Sequence, residues 1–194
     1  MDLGKILVFS APSGAGKTTI VKHLVKKFTT LSFSISATTR PMREGETHGK
    51  DYYFLSLDEF KEKLKAEAFV ESQEVYSGVF YGTLKSEIER IRKEGRHVVL
   101  DVDVQGGINL KNYYKNNALA VFVKPPNITA LETRLRVRNT ETEDTLKERV
   151  KKAAYELTFS EQFDQILLND SLEEAFERAE NIVELFLDEE TQVQ

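Results

Sequence analysis

Ten residues near the start of the chain, Ser-Ala-Pro-Ser-Gly-Ala-Gly-Lys-Thr-Thr (10–19), place a Lys-Thr pair behind two glycines at a spacing suited to binding phosphate. In such a loop the backbone N–H groups and the start of the following helix face an anion. Ser13, Gly14, Ala15, Gly16, Lys17, Thr18 and Thr19 therefore form a candidate cradle for a nucleoside triphosphate. Lys17 would reach the β- and γ-phosphates, and the Thr18 hydroxyl would bind Mg2+. Ala11 stands where the motif usually has glycine. Alanine lacks only easy access to positive φ, so the departure matters only if position 11 needs it.

Three further stretches could act with that loop. In "HVVLDVDVQGG" (97–107) an apolar run ends in Asp101 and Asp103, two apart and so on one face of a strand. One carboxylate can serve Mg2+, directly or through water, and the other is free to read a substrate. In "SATTRPMREGETHGKDYYF" (36–54), Arg40 and Arg43 precede Lys50 and Tyr52. Arginine pairs bidentately with phosphate and tyrosine adds a neutral donor, which makes a second phosphate site. Around "RNTETED" (138–144) stand Arg134, Arg136, Arg138 and Arg149, of which Arg134 and Arg138 share a helix face. Two phosphate sites with arginines between them point to transfer of phosphate from one phosphorylated molecule to another.

These residues need a scaffold, and the apolar pattern supplies one. The 194 residues are 40% hydrophobic, enough for one substantial core. Strands are expected at 5–10, 33–36, 97–102, 118–123 and 165–168. They alternate with helical periodicity at 17–28, 84–94, 106–115, 128–138, 142–158 and 172–187. That alternation predicts a three-layer α/β P-loop fold on a five-stranded parallel sheet. Ser56 with Glu59, and Ser171 with Glu174, have the capping-box form, and Gly95 closes the helix that Thr83 or Leu84 opens. Residues 37–83 hold "YYFLS", "FVESQEV" and "GVFYGT", read as a small inserted sheet; with the arginine-rich excursion they make two flaps around one cleft.

Composition excludes several function classes. With 27 basic against 32 acidic residues the net charge is −5, which argues against a general nucleic-acid or anionic-membrane binder. The absence of cysteine removes disulfides, thiolate metal sites and cysteine nucleophiles. The start "MDLGKILVFSAPSG" carries an acid at position 2 and an apolar-rich run too short for a signal peptide or a membrane span, so a cytoplasmic protein is expected.

Taken in order, "SGAGKTT", "SATTRPMREGE", "GKDYYF", "FVESQEV", "FYGT", "LDVDVQG", "RLRVRNTETE" and "LLND" resemble the guanylate kinases over nearly the whole chain. The resemblance implies transfer of the γ-phosphoryl group of Mg-ATP to GMP, and with it dGMP, by a monomer or homodimer. It implies one domain over 1–194, with a core (1–36, 84–126, 157–194), a GMP-binding insertion (37–83) and a helical lid (127–156). Residues matching Arg40, Arg43, Tyr52 and Tyr81 would hold the GMP phosphate. Those matching Ser36, Glu71, Thr83 and Asp103 would face guanine, whose adjacent N–H donors suit carboxylates. Arg134, Arg138 and Arg149 match the lid arginines that, with Lys17 and Arg40, would carry catalysis, and Asn169 matches a contact to the adenine end of ATP. The usual lid has Arg-Gly-Thr-Glu, whereas Asn139 stands here in place of the glycine.

Three other readings remain open on the residues alone. "DVQG" (103–106) fits the Asp-x-x-Gly switch of a regulatory GTPase, although no Asn-Lys-x-Asp guanine motif accompanies it. A kinase of another nucleotide or of a sugar phosphate would keep the loop and lid without needing the carboxylate pair. A non-catalytic phosphopeptide-binding module of the same fold would use the GMP-phosphate residues but typically loses the phosphate loop.

Overall fold

The computed structural model describes residues 4–137 and 143–188. Strand β1 (Ile6–Ser10) is buried at every position, and helix α1 (Lys17–Lys27) follows it across the glycine-rich loop. Next come β2 (Leu31–Phe33), β3 (Ala37–Thr38), β4 (Tyr53–Phe54), α2 (Leu57–Lys65), β5 (Phe69–Tyr76), β6 (Val79–Leu84) and α3 (Lys85–Lys93). The chain continues through β7 (His97–Val102), α4 (Val104–Tyr114), β8 (Ala118–Lys124), α5 (Ile128–Val137), α6 (Glu143–Leu157), β9 (Gln165–Leu168) and α7 (Leu172–Asp188).

The core is a parallel sheet of order β2-β7-β1-β8-β9. Alternation along β1 sorts its side chains to opposite faces. Leu7 and Phe9 pack with Ile20, Val21 and Leu24 of α1 and with Ala175, Ala179 and Val183 of α7. Ile6 and Val8 pack with Ile88 and Ile91 of α3 and Leu110 of α4 on the other side. This is the three-layer arrangement expected of a strand that reads as one apolar run. Because β1 lies between β7 and β8, the chain leaves it toward β2 on one side and reaches β8 on the other. The crevice at the C-terminal ends of β1 and β7 is therefore the switch point where ligands bind in such sheets.

The second sheet, order β4-β3-β6-β5, is built from residues between β2 and α3. It has its own apolar centre, in which the fully buried Phe60 of α2 stacks on Phe69 at 4.4 Å beside Ala37 and Leu84. The Ser56 capping box fixes the start of α2: Glu59 N–H donates to Ser56 Oγ at 3.2 Å and Ser56 N–H donates to Glu59 Oε2 at 2.7 Å. Helices α5 and α6 share a smaller cluster of Leu131, Leu135, Leu146 and Ala153.

Two elements lie more than one residue from where they are expected. The strand expected at 33–36 lies at Leu31–Phe33, because β2 pairs with β7 only through Leu31, Ser32 and Phe33. One more bond, Ser34 N–H to the Val99 carbonyl at 2.9 Å, ends the pairing, and Tyr53 N–H then donates to Ser36 O as the chain crosses into the small sheet. Helix α4 begins at Val104 rather than 106, since the Asp103 carboxylate accepts from Gly106 N–H at 2.7 Å and caps it. Position 142, expected to open α6, and position 138, expected to end α5, lie outside the described residues. Gly95 follows α3 with φ 71°, the left-handed closure its position required.

Candidate active site

The phosphate loop leaves β1 at Ser10 and returns as α1 at Lys17. Gly14 and Gly16 hold φ of 89° and 91°, a region costly for any side chain, whereas Ala11 is not among the described residues with positive φ. The alanine is buried in the core and demands nothing special of the backbone. Gly16 caps α1 without a side-chain acceptor, which leaves the first turn's N–H groups directed at the crevice.

Asp101 sits where β7 runs beside the end of β1, in register with Phe9. Its Oδ2 accepts from the Thr18 hydroxyl at 2.6 Å, and its Oδ1 forms an ion pair with Lys17, whose ammonium also donates to the Val102 carbonyl at 2.5 Å. The hydroxyl and carboxylate thus form a hard-oxygen pair at the loop's mouth. Among the described residues no cluster of three metal-ligating side chains exists. A cation here would take one or two protein oxygens and complete its shell with water and phosphate, which is how Mg2+ binds nucleotides.

Asp103 is not a strand residue, since β7 ends at Val102. Its backbone stays extended, and it lines the same crevice as Asp101. One of its oxygens is committed to the α4 cap, so it is less free than a strand-end acid. The Gln73 amide, turned with its nitrogen inward, donates to both carboxylate oxygens, Oδ1 at 3.2 Å. The Asp-x-x-Gly pattern at 103–106 is thereby used as a helix cap.

The β5–β6 hairpin delivers the second half of the site. Its register sets Glu71 opposite Thr83 and Gln73 opposite Tyr81, so these four side chains share the face turned to the crevice. The Thr83 hydroxyl, fully buried, donates to Glu71 Oε1 at 2.6 Å. Burial pushes the Glu71 carboxyl up to about 7; the Thr83 bonds oppose the rise and the Asp103 charge adds to it. Ser36, Tyr52, Glu71, Gln73, Tyr81 and Asp103 are among the residues lining a cavity of about 310 Å³.

Arg40 lies on the loop before β4. Its guanidinium donates to both Glu46 oxygens, at 2.9 and 2.7 Å, and sits 5.4 Å from the Tyr52 ring centre. Glu46 also accepts from Arg43 N–H at 2.8 Å, and the Arg40 bond holds its carboxyl down at about 2. The Arg43 side chain is exposed, and Tyr52 stands edge-on to Tyr81 at 5.9 Å.

On the opposite wall, Arg149 of α6 donates to Ser13 Oγ at 2.7 Å. Arg134 of α5 donates to the Asn169 carbonyl at 3.0 Å, and its Nη1 is buried without a hydrogen-bond partner. Asn169 is itself buried, with its Nδ2 donating to the Ala15 carbonyl at 2.7 Å, so it ties the end of β9 to the phosphate loop. Arg136, not Arg134, pairs with Glu143, at 2.5 Å, and the Arg134 guanidinium stays on the carbonyls that follow β9. Arg138 and Asn139 lie outside the described residues.

The structure also brings in residues that the sequence reading passed over. Gln73 carried a usable signal, since it is two residues beyond Glu71 and shares its face. Lys152 and Glu156 carried one as well, at three and seven residues after Arg149 on one helix face. Both line a cavity of about 370 Å³ with the phosphate loop, Asp101 and Asp103. Nothing in the spacing of Glu46 announced its pairing with Arg40.

The two cavities adjoin, sharing Tyr52, Val75, Asp101, Val102, Asp103 and Lys152. One side offers a glycine loop, a helix N-terminus and cations. The other offers carboxylates over an aromatic wall, with an arginine loop at its edge.

Comparison with known proteins agrees with this layout. A family model described as guanylate kinase matches residues 3–185. A guanylate kinase of Bacteroides fragilis is 46% identical over 188 residues, covering 97% of this chain and 92% of the relative. One of Bacteroides thetaiotaomicron is 45% identical over 187 residues, covering 96% and 92%. The crystal structure of guanylate kinase from Anaplasma phagocytophilum superposes with a TM-score of 0.74 at 30% identity, over 96% of this chain and 86% of that one.

Proposed function

The chain belongs to the guanylate kinase family, and from that premise we propose that it phosphorylates GMP with ATP by direct in-line transfer. The observation that supports this most is the wall shared by the loop cavity and the Glu71–Asp103 cavity, which leaves room for a phosphate donor beside a phosphate acceptor. The ATP phosphates lie on Ser13 to Thr19, with Asn169 near the adenine end. The GMP phosphate takes Arg40, Arg43, Tyr52 and Tyr81, and guanine takes Ser36, Glu71, Thr83 and Asp103.

A GMP phosphate oxygen attacks the γ-phosphorus of ATP, the bond to the β,γ-bridging oxygen breaks, and ADP leaves. Arginines Arg40, Arg134, Arg138 and Arg149, with Lys17, stabilise the charge on the transferred group. Mg2+ would be held by Thr18 and Asp101, directly or through water, and would neutralise the β- and γ-oxygens. Lys17 must then exchange its Asp101 partner for phosphate. Likewise the GMP phosphate must draw Arg40 from Glu46.

The chain reads as one domain, with the core at 1–36, 84–126 and 157–194, the GMP-binding insertion at 37–83 and the lid at 127–156. Closure of insertion and lid would exclude water as a competing acceptor. Among the described residues no helix is long and apolar enough to cross a membrane. The phosphate loop that a peptide-binding module would lack is fully formed.

A coupled ADP-release assay with ATP and each nucleoside monophosphate in turn tests the reading. Rapid turnover with GMP is expected. Turnover with AMP or UMP and none with GMP would overturn it.

A further inference from the structure

Resting on that reading, we propose that Lys152 is a further catalytic cation, whose ammonium contacts the phosphoryl group as it crosses from the donor cavity to the acceptor cavity. Six described residues line both cavities: Tyr52, Val75, Asp101, Val102, Asp103 and Lys152. Lys152 is the cation among them, facing two carboxylates. Lys17 and Arg149 line the donor cavity alone, and neither Arg40 nor Arg43 lines either cavity. Two phosphates meeting at this junction bring further negative charge to a place that already holds Asp101 and Asp103. Lys152 adds to the lid arginines and Lys17 a cation that lines the junction from both cavities.

The local structure suits a mobile point charge. Arg149, Lys152 and Glu156 share one face of α6, and Arg149 holds that face to the loop through Ser13. Lys152 Nζ lies 3.8 Å from Glu156 Oε1; the lysine side chain is 55% exposed and the glutamate 13%. Glu156 thus anchors a flexible stem whose charged end can swing into the cleft. Burial raises the Glu156 carboxyl above its ordinary value, while Lys152 and Lys17 act to keep it ionised.

The test compares wild type, Lys152→Ala, Lys152→Gln and Lys152→Arg in steady-state turnover with saturating ATP and GMP, alongside calorimetric Kd values for each nucleotide and thermal midpoints. Lys152→Ala and Lys152→Gln are expected to lose about 10–100-fold in kcat, with both Kd values within about threefold of wild type. Lys152→Arg is expected to recover most of kcat. Midpoints should not move, since the side chain is exposed and alanine favours helix. Turnover by Lys152→Ala within about twofold of wild type, or a loss confined to Kd with kcat intact, would overturn the role of Lys152 alone. Absence of GMP turnover in the wild type would instead overturn the reading on which it rests.

Discussion

If Glu71 reads guanine as a carboxylate, GMP affinity must fall as that group protonates, and the structure gives the size of the fall. Burial holds the Glu71 carboxyl at about 7 in the free protein. For a ligand that binds only the ionised form, the apparent Kd rises by the factor 1 + 10^(pKa − pH). That factor is about 1.1 at pH ~8, about 2 at pH ~7 and about 30 at pH ~5.5. GMP titrates in the same window, because its phosphate has a second pKa near ~6, and loss of the dianion contributes about fourfold at pH ~5.5. Glu71→Gln separates the two effects. The variant keeps the ligand's titration and the Thr83 contact but has no carboxylate, so its Kd should be weaker at high pH and rise only about fourfold on acidification. Isothermal titration calorimetry of both proteins across that range, repeated in two buffers of different ionisation enthalpy, measures the ratio of their Kd values and the protons exchanged. The ratio should shrink about 30-fold as pH falls, and wild type should release close to one proton near pH ~6 that the variant does not. A ratio constant with pH would refute the assignment of Glu71 to guanine. The same group has a stability signature of opposite sense. A raised carboxyl binds protons more tightly folded than unfolded, so its contribution is fully present below about 4.5 and is lost as pH rises to about 7.

Removing Lys17, whose ammonium bridges Asp101 and Val102 at the loop, should lower kcat by about a thousandfold or more, with the fold intact by circular dichroism. Phe60→Ala empties the centre of the small sheet at a local cost of about 3–5 kcal/mol, and hydrogen exchange should quicken in β3 to β6 with GMP affinity lost and ATP affinity kept. Asn169→Ala removes the buried tether to the Ala15 carbonyl, so the KM for ATP should rise by about tenfold while the Kd for GMP stays put.

Which parts of this site were legible depended on whether a rule acts within a few residues or across the fold. The loop was readable because strand, glycines, Lys-Thr and helix are contiguous, and its one irregularity, Ala11, fell where no positive φ is needed. Strand β2 was misplaced because its end is decided by the short reach of its pairing with β7, some sixty residues on, and not by its own apolar content. Asp103 was recognised as an acid at a strand end, but the same four residues that resemble a GTPase switch are a helix cap. Local capping chemistry therefore fixes how much of its acceptor capacity remains.

Glu71 illustrates the harder case. Read as sequence it is a charged residue on a polar strand face, and only the family resemblance picked it out. What makes it chemically special is the 2.6 Å bond from a fully buried threonine on the neighbouring strand, set by a register that two bulges adjust. Bulges leave faint traces in sequence because they change which residues face each other and not which residues are present. The same holds for the charged pairs. Arg40 reads as a phosphate ligand by its type, an assignment that remains a proposal, yet its free-state partner Glu46, six residues away around a turn, follows no helix or strand period. On the proposed reading each substrate phosphate displaces an internal carboxylate, Asp101 from Lys17 and Glu46 from Arg40. Both acids hold a largely buried cation in place in the free protein. On that reading a phosphate dianion, which carries more charge than one carboxylate, is suited to take their place.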